Sequence, residues 1–440
     1  MGIFKAYDIR GVYPKELNEK IMEKIGRAFA DFIKGKNIAV GYDMRVSGPK
    51  LFDAFVKGVT LQGKNVINFG LTSTPMAYFA SAHLGADGMA MITASHNPKE
   101  YNGVKFTREE AIPISGDTGI MEIKDKVDKE EFKKVTKIGK VTEKDVKEEY
   151  KKHLLSFVKG IKELKVVVDC ANGMGAQDFS LIQKELLVDV VPLYFEIDGT
   201  FPNHDANPMK KGVLEVLKKR VIAEKAELGI AFDGDADRVF FIDNEGELVP
   251  SDFITALISE EILKHKSNSL VLYDLRSSWI VPEMIEKFGG RSLRCRVGHS
   301  FIKQKMREDS AVFAGELSGH FYFKDNFFTD SGIITAIWVM NLLSAKNIPF
   351  SELIRPLKKY FNSGEINSEV GDKEAKMKEL AESYKKGRVS WLDGVRVDFD
   401  DWWFNVRPSN TEPLLRLNLE AKTLILLKEK KEELLKIIRS

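Results

Sequence analysis

At 440 residues the chain is too long for one hydrophobic core, and its length predicts about three or four domains. Hydrophobic residues make up 43% and charged residues 30% with a net charge of +2, an ordinary globular mixture whose overall charge does not argue for a nucleic-acid or membrane partner, and none is expected. Cys170 and Cys295 lie far apart with no CxxC spacing, which fits buried thiols in a reducing compartment better than a disulfide or zinc site.

The opening stretch KAYDIRG, Lys5 to Gly11, is polar, and Asp8, Arg10 and Lys15 interrupt any signal-peptide pattern. Arg10 beside Gly11 is a candidate phosphate contact or a surface arginine in a turn. A helix pattern follows over residues 17–33. The most apolar helical stretch, 333–343, is shorter than the ~20 residues a bilayer core requires. The expected location is therefore the cytoplasm.

From Asn37 a unit recurs. NIAVGYDMR, LKVVVDCANGMG and SLVLYDLRSS are apolar strands ending at Asp43, Asp169 and Asp274, each followed by a helical pattern. Further on in each unit a second apolar strand runs into a polar loop, and another strand follows. ADGMAMI leads to TASHNP and GVKF, AELGIAF to DGDADR and VFFI, and SAVFAG to ELSGH and FYF. The order predicts three related α/β domains, each offering a loop beyond a strand end, where open α/β sheets place ligands. Residues 121–152, dense in Lys and Glu, read as a solvated connection. From about residue 359 the pattern changes to a smaller α+β domain. The expected boundaries are 1–140, 141–247, 248–358 and 359–440.

Four loops carry chemistry. TASHNP delivers Ser95 and His96 beyond a buried strand, as a nucleophile requires, although a Ser/Asn/Pro turn is the structural alternative. DGDADR places Asp233, Asp235 and Asp237 at alternate positions, on one side of an extended segment. Carboxylates so close repel one another without a cation, and oxygen-only ligands favour Mg²⁺ or Ca²⁺. Arg238 beside them suggests a shared anion such as a phosphoryl group. GELSGH offers Glu316, Ser318 and His320, the first two suited to sugar hydroxyls, and VGHS adds His299. RPSNTEP combines Arg407 with Ser409, Asn410 and Thr411, a set able to wrap a phosphate dianion.

These loops in this order resemble the α-D-phosphohexomutase family, closest to its phosphomannomutase/phosphoglucomutase members, over essentially the whole chain. The resemblance implies an α/β protein of three mixed-sheet α/β domains plus a C-terminal TBP-like α+β domain around a central cleft. It implies that Ser95 carries a phosphoryl group and completes a Mg²⁺ site with Asp233, Asp235 and Asp237. Arg238 and Lys105 would stand near the transferring group, with Lys105 as general acid/base, a role that needs a lowered pKa, and His299 as a second candidate. Glu316 and Ser318 would read the sugar, and Arg407, Ser409, Asn410 and Thr411 would hold the phosphate that is not reacting.

The reaction so implied interconverts hexose 1- and 6-phosphates through a hexose 1,6-bisphosphate that turns end for end. Leu317, between Glu316 and Ser318, is nearer to the Met of phosphomannomutase/phosphoglucomutase members than to the Gln of phosphoglucosamine mutases. Mannose and glucose are therefore the expected sugars, with glucosamine as the alternative. Ala236 stands where the family commonly has glycine, and a single methyl is expected to matter little. A Mg²⁺-dependent phosphatase is the competing reaction class, against which the second phosphate grip argues. The expected partners are small-molecule sugar phosphates, with monomer and homo-oligomer both open.

Overall fold

A computed structural model describes residues 2–409 and 414–440. Three sheets share one strand order. In the first, Tyr101–Arg108, Gly88–Ile92, Asn37–Tyr42 and Asn65–Leu71 lie side by side. In the second the equivalent strands are Val239–Ile242, Leu228–Phe232, Leu164–Asp169 and Val188–Leu193. In the third they are Phe321–Phe323, Phe313–Gly315, Leu270–Asp274 and Arg291–Cys295. The first two strands of each set are antiparallel and the rest parallel, so each functional loop joins an antiparallel pair. Their buried strands are the unbroken apolar runs expected where helices cover both faces.

Each unit adds strands at its edges. Ile9–Val12 pairs with Tyr101–Arg108, which brings the opening polar stretch beside the Ser95 loop. Val141–Glu143 pairs with Asn65–Leu71, so the first sheet reaches past residue 140 into the stretch read as a solvated connection. The last unit is an antiparallel sheet centred on Trp402–Pro408 and Leu414–Ala421, with helices Lys373–Ser383 and Leu424–Arg439 packed on it.

The second and third units share one core. The helix Gly332–Lys346, capped by Ser331, is buried almost all round and lies between them. Among the described residues no single helix is long and apolar enough to cross a membrane.

The first and second units meet through apolar packing, with Met76, Phe79 and Ala80 joining the same core, and through polar groups. Ser73 Oγ donates to Asp178 Oδ2 at 2.8 Å, and Thr74 Oγ1 donates to Asp235 Oδ2 at 2.6 Å. Asp178 is completely buried, and burial pushes its carboxyl up to about 7 despite the Ser73 and Tyr150 hydroxyls. A carboxyl whose pKa is raised on folding binds its proton more tightly in the native state. Its contribution is full below the unfolded value near 4 and is lost as pH rises through 7. Asp178→Asn is therefore expected to flatten the fall in unfolding free energy between about pH 4 and 7 by close to one proton, an effect on the order of a few kcal/mol. Urea titrations across that range check it.

Candidate active site

Ser95 sits one turn beyond the strand Gly88–Ile92, in the left-handed region at φ 49°, a strained setting for a residue with a side chain. The turn is closed by Asn97 N donating to Ala94 O at 3.0 Å. Ser95 Oγ donates to Asp233 Oδ2 at 2.9 Å and lies 3.2 Å from His96 Nδ1. Burial first, then the charges of Arg238, Arg10 and Lys105, hold His96 well below the ordinary histidine range, so its imidazole is neutral.

Asp233, Asp235 and Asp237 converge, though on a tight turn and not on the extended segment that their alternate spacing suggested, with Ala236 N donating to Asp233 O at 3.2 Å. All three are buried, and each offers an oxygen within 4.8 Å of the others. Burial and then the charges of Asp237 and Asp235 push the Asp233 carboxyl well above its usual range. Asp235 Oδ1 and Asp237 Oδ1 are buried with no hydrogen-bond partner. An all-oxygen set with orphaned buried acceptors fits a hard divalent cation.

Lys105 Nζ lies 2.7 Å from Asp235 Oδ2 and 2.5 Å from Asp237 Oδ2. Burial alone would lower its pKa, but Asp235 and Asp237 outweigh burial and hold it well above the usual lysine value. Paired with both aspartates in this way, Lys105 is held as a cation, whereas a role as general base needs a lowered pKa. Ala236 adopts φ 65°, where a Cβ costs about 1 kcal/mol relative to glycine, so the methyl carries local strain.

Arg10 Nε pairs with Asp8 Oδ2 at 2.7 Å, and its Nη1 donates to Asn97 Oδ1 beside Ser95. Arg238 Nε donates to His320 Nε2 at 2.9 Å, while His320 Nδ1 lies 2.8 Å from Asp330 Oδ2. Glu316 accepts from the Tyr322 hydroxyl and, at 3.2 Å, from Gly298 N. His299 is half-buried, and both its ring nitrogens are buried with no hydrogen-bond partner. Burial first and Lys303 next hold it well below the ordinary histidine range.

These parts surround one cavity of 1230 Å³ whose wall includes Arg10, His96, Arg238, His299, Glu316, Ser318, His320, Arg407 and Ser409. Ser95, Lys105 and the three aspartates are buried beneath that wall. At the far unit, Arg407 Nη2 lies 2.9 Å and Arg276 Nη1 3.8 Å from Glu365 Oε2, and Arg416 Nη1 lies 3.1 Å from Glu365 Oε1. Asn410 and Thr411 fall outside the described residues.

Arg276, Arg416, Glu365 and Asp330 escaped the sequence reading, as did Arg45 beneath the Ser95 turn. A signal for two of them exists: YDMR and YDLR end equivalent strands with the same Asp-x-Arg. In both copies the aspartate Oδ1 accepts the arginine backbone N–H, at 3.0 Å for Asp43 and 2.7 Å for Asp274.

Removing the Lys105 ammonium leaves two buried carboxylates unopposed. Lys105→Met is expected to lose about 3 kcal/mol of stability without a divalent ion. Mg²⁺ should then raise its melting temperature more than that of the unsubstituted protein, because the ion no longer competes with an ammonium. Thermal melts with and without Mg²⁺ check this; an equal or smaller shift would count against the triad as the ion's site.

Family models for phosphoglucomutase/phosphomannomutase match all four parts. Alpha/beta/alpha domain I matches residues 1–134, domain II 148–246, domain III 250–360 and the C-terminal domain 365–437. The chain is 40% identical to a phosphomannomutase of Methanocaldococcus jannaschii, over 99% of this chain and 97% of that one. It is 38% identical to a phosphomannomutase of Vibrio cholerae, over 99% and 98%. A crystal structure of a phosphoglucomutase/phosphomannomutase family protein from Burkholderia thailandensis superimposes with a TM-score of 0.92 at 32% identity, covering 99% of this chain and 97% of that one. Four matched domains, full-length identity and a cleft assembled from all four units place the chain in the phosphoglucomutase/phosphomannomutase family, the hexose-phosphate mutases.

Proposed function

We propose that the chain interconverts the 1- and 6-phosphates of mannose and glucose through phosphorylated Ser95 and a hexose 1,6-bisphosphate. The observation that carries this reading is the Ser95 hydroxyl 2.9 Å from Asp233, under a cavity whose wall also bears the Arg407 cluster. A phosphoryl donor and a separate phosphate grip in one enclosure suit a mutase, since hydrolysis of a monoester needs only the first.

Asp233, Asp235 and Asp237 would hold Mg²⁺, whose charge would offset that of the phosphoryl group during transfer. Around it the chain's own residues divide the work. Arg238 and the Lys105 ammonium face the phosphoryl oxygens as fixed cations, and Arg10, tied to Asn97, adds a third. Glu316 and Ser318 accept and donate to sugar hydroxyls. Arg407 and Ser409 hold the phosphate that is not reacting.

In the first half-reaction the bond from phosphorus to Ser95 Oγ breaks as one forms to the free sugar hydroxyl. That hydroxyl's proton passes to a base. His299 suits the task better than Lys105, since it lines the cavity with neither ring nitrogen hydrogen-bonded, while Lys105 is engaged by two carboxylates. After the bisphosphate turns over, its other phosphoryl group returns to Ser95 Oγ and the proton returns to the sugar oxygen. Contacts that must accept both orientations discriminate C2 weakly, which is why both sugars are proposed.

Ser95→Ala is expected to abolish turnover of mannose 1-phosphate and glucose 1-phosphate assayed with Mg²⁺ and a trace of hexose 1,6-bisphosphate. Unchanged turnover in that variant would sink the phosphoserine mechanism. The unsubstituted protein should turn over the two sugars at comparable rates. Faster turnover of glucosamine 1-phosphate would move the substrate, and release of free phosphate without an isomer would move the reaction class.

A further inference from the structure

Arg45 has no role in binding or chemistry as described above, yet it is the largest charged side chain with no solvent exposure at all. Its Nη2 donates to the carbonyls of Ser95 and Asn97, each at 2.7 Å. Its Nη1 donates to those of Pro98 at 2.8 Å and Tyr101 at 2.9 Å. One guanidinium therefore ties four carbonyls of the turn that carries the nucleophile. Asp43 Oδ2 lies 3.5 Å from Arg45 Nε and accepts from Thr93 Oγ1 at 2.6 Å. Thr93 Oγ1 in turn accepts from Ser95 N at 2.8 Å. Both backbone polar groups of Ser95 are thus held by the Asp43–Arg45 pair, the N–H through Thr93 and the C=O directly.

The second unit closes over this grip. The Phe201 ring centre lies 5.4 Å from the guanidinium carbon. A Cβ added to Gly199 would fall 2.2 Å from Met44 O, so the strap around Gly199 packs against the Arg45 backbone with no room to spare. A buried arginine with four carbonyl partners is a costly way to fill a core, and an apolar residue would fill it at less cost. What it uniquely supplies is a planar fork that fixes several acceptors at once.

We propose that Arg45 is a positioning residue for phosphoryl transfer, holding Ser95 in its left-handed backbone conformation so that Oγ meets the aspartate loop, with the Gly199–Phe201 strap sealing the grip. This rests on the phosphoserine reading above. The step it serves breaks the bond from phosphorus to Ser95 Oγ and forms one to the sugar hydroxyl, whose proton goes to His299. Reacting atoms displaced by about 1 Å lose rate on the order of 100-fold. Arg45 itself does not line the cavity, and of the residues whose carbonyls it holds only Asn97 and Tyr101 do, so substrate affinity should fall far less than rate.

The test uses the full chain carrying Arg45→Lys, Phe201→Leu or Ser95→Ala, with kcat and KM measured separately for mannose 1-phosphate. A lysine keeps the charge and the Asp43 partner but cannot span four carbonyls. Arg45→Lys is expected to lose kcat by about 100-fold with KM nearly unchanged. Phe201→Leu should lower kcat by a smaller factor, again at constant KM. Wild-type kcat in Arg45→Lys would overturn the proposal, and so would a raised KM at constant kcat. Should Arg45→Lys fail to fold, Phe201→Leu decides: a lower kcat at constant KM supports the proposal and wild-type kinetics overturn it. Activity in Ser95→Ala would sink the phosphoserine reading itself, whereas an inactive Ser95→Ala beside a fully active Arg45→Lys would sink only the role of Arg45.

Discussion

Three carboxylates buried within 4.8 Å of one another are the constraint on which the rest of the structure depends. At an effective dielectric of about 20, each pair of unit charges 4 Å apart repels by roughly 4 kcal/mol. The loop persists because donors from another unit come to it: Ser95 to Asp233, Thr74 and Lys105 to Asp235, and Lys105 to Asp237. Neutralising the second unit's charge with the first unit's side chains sets how those units dock. The same demand ties the Lys105 ammonium to two of the aspartates, and the unpartnered Oδ1 atoms of Asp235 and Asp237 remain to face a divalent ion.

The three sheets share one plan while their loops diverge. An aspartate closes the equivalent strand each time, and its Oδ1 accepts the backbone N–H two residues on, from Arg45, Ala171 and Arg276. In the first and third units the other oxygen reaches the functional loop, through Thr93 to Ser95 and directly to Leu317 N. In the second unit both oxygens lie near His204 instead. A repeated frame thus presents the Ser95 loop, the aspartate loop and the Glu316 loop towards one cleft, because function lies in the grafted site and not in the fold.

Much of this was legible in the residues. Unbroken apolar runs such as GMAMI and LGIAF ended where the polar loops began, and the structure has strands there. The crowding of aspartates in DGDADR signalled a shared site, although a tight turn with Ala236 left-handed, and not an extended segment, brings them together. Less legible were groups whose task depends on partners distant in the chain. Val141–Glu143 looked like part of a solvated linker because an exposed edge strand has no apolar pattern to announce it. Glu365 gives no sign of its place, because two of the arginines around it, Arg276 and Arg416, stand far from it along the chain.

The sequence by itself determined the elements, the repeat, the four loops and the residue types they carry, because these follow from periodicity and spacing along the chain. The tertiary structure decided protonation and grip. Lys105 and Asp237 are 132 residues apart, and Ser95 and Asp233 are 138 apart. Only their juxtaposition raises the pKa of the lysine and orients the hydroxyl. Arg45 reads as one more charged residue after a strand, and it becomes a clamp only when the chain folds its 95–101 carbonyls onto it. Charge state and hydrogen bonding depend on what surrounds a group, and short-range sequence does not specify that surrounding.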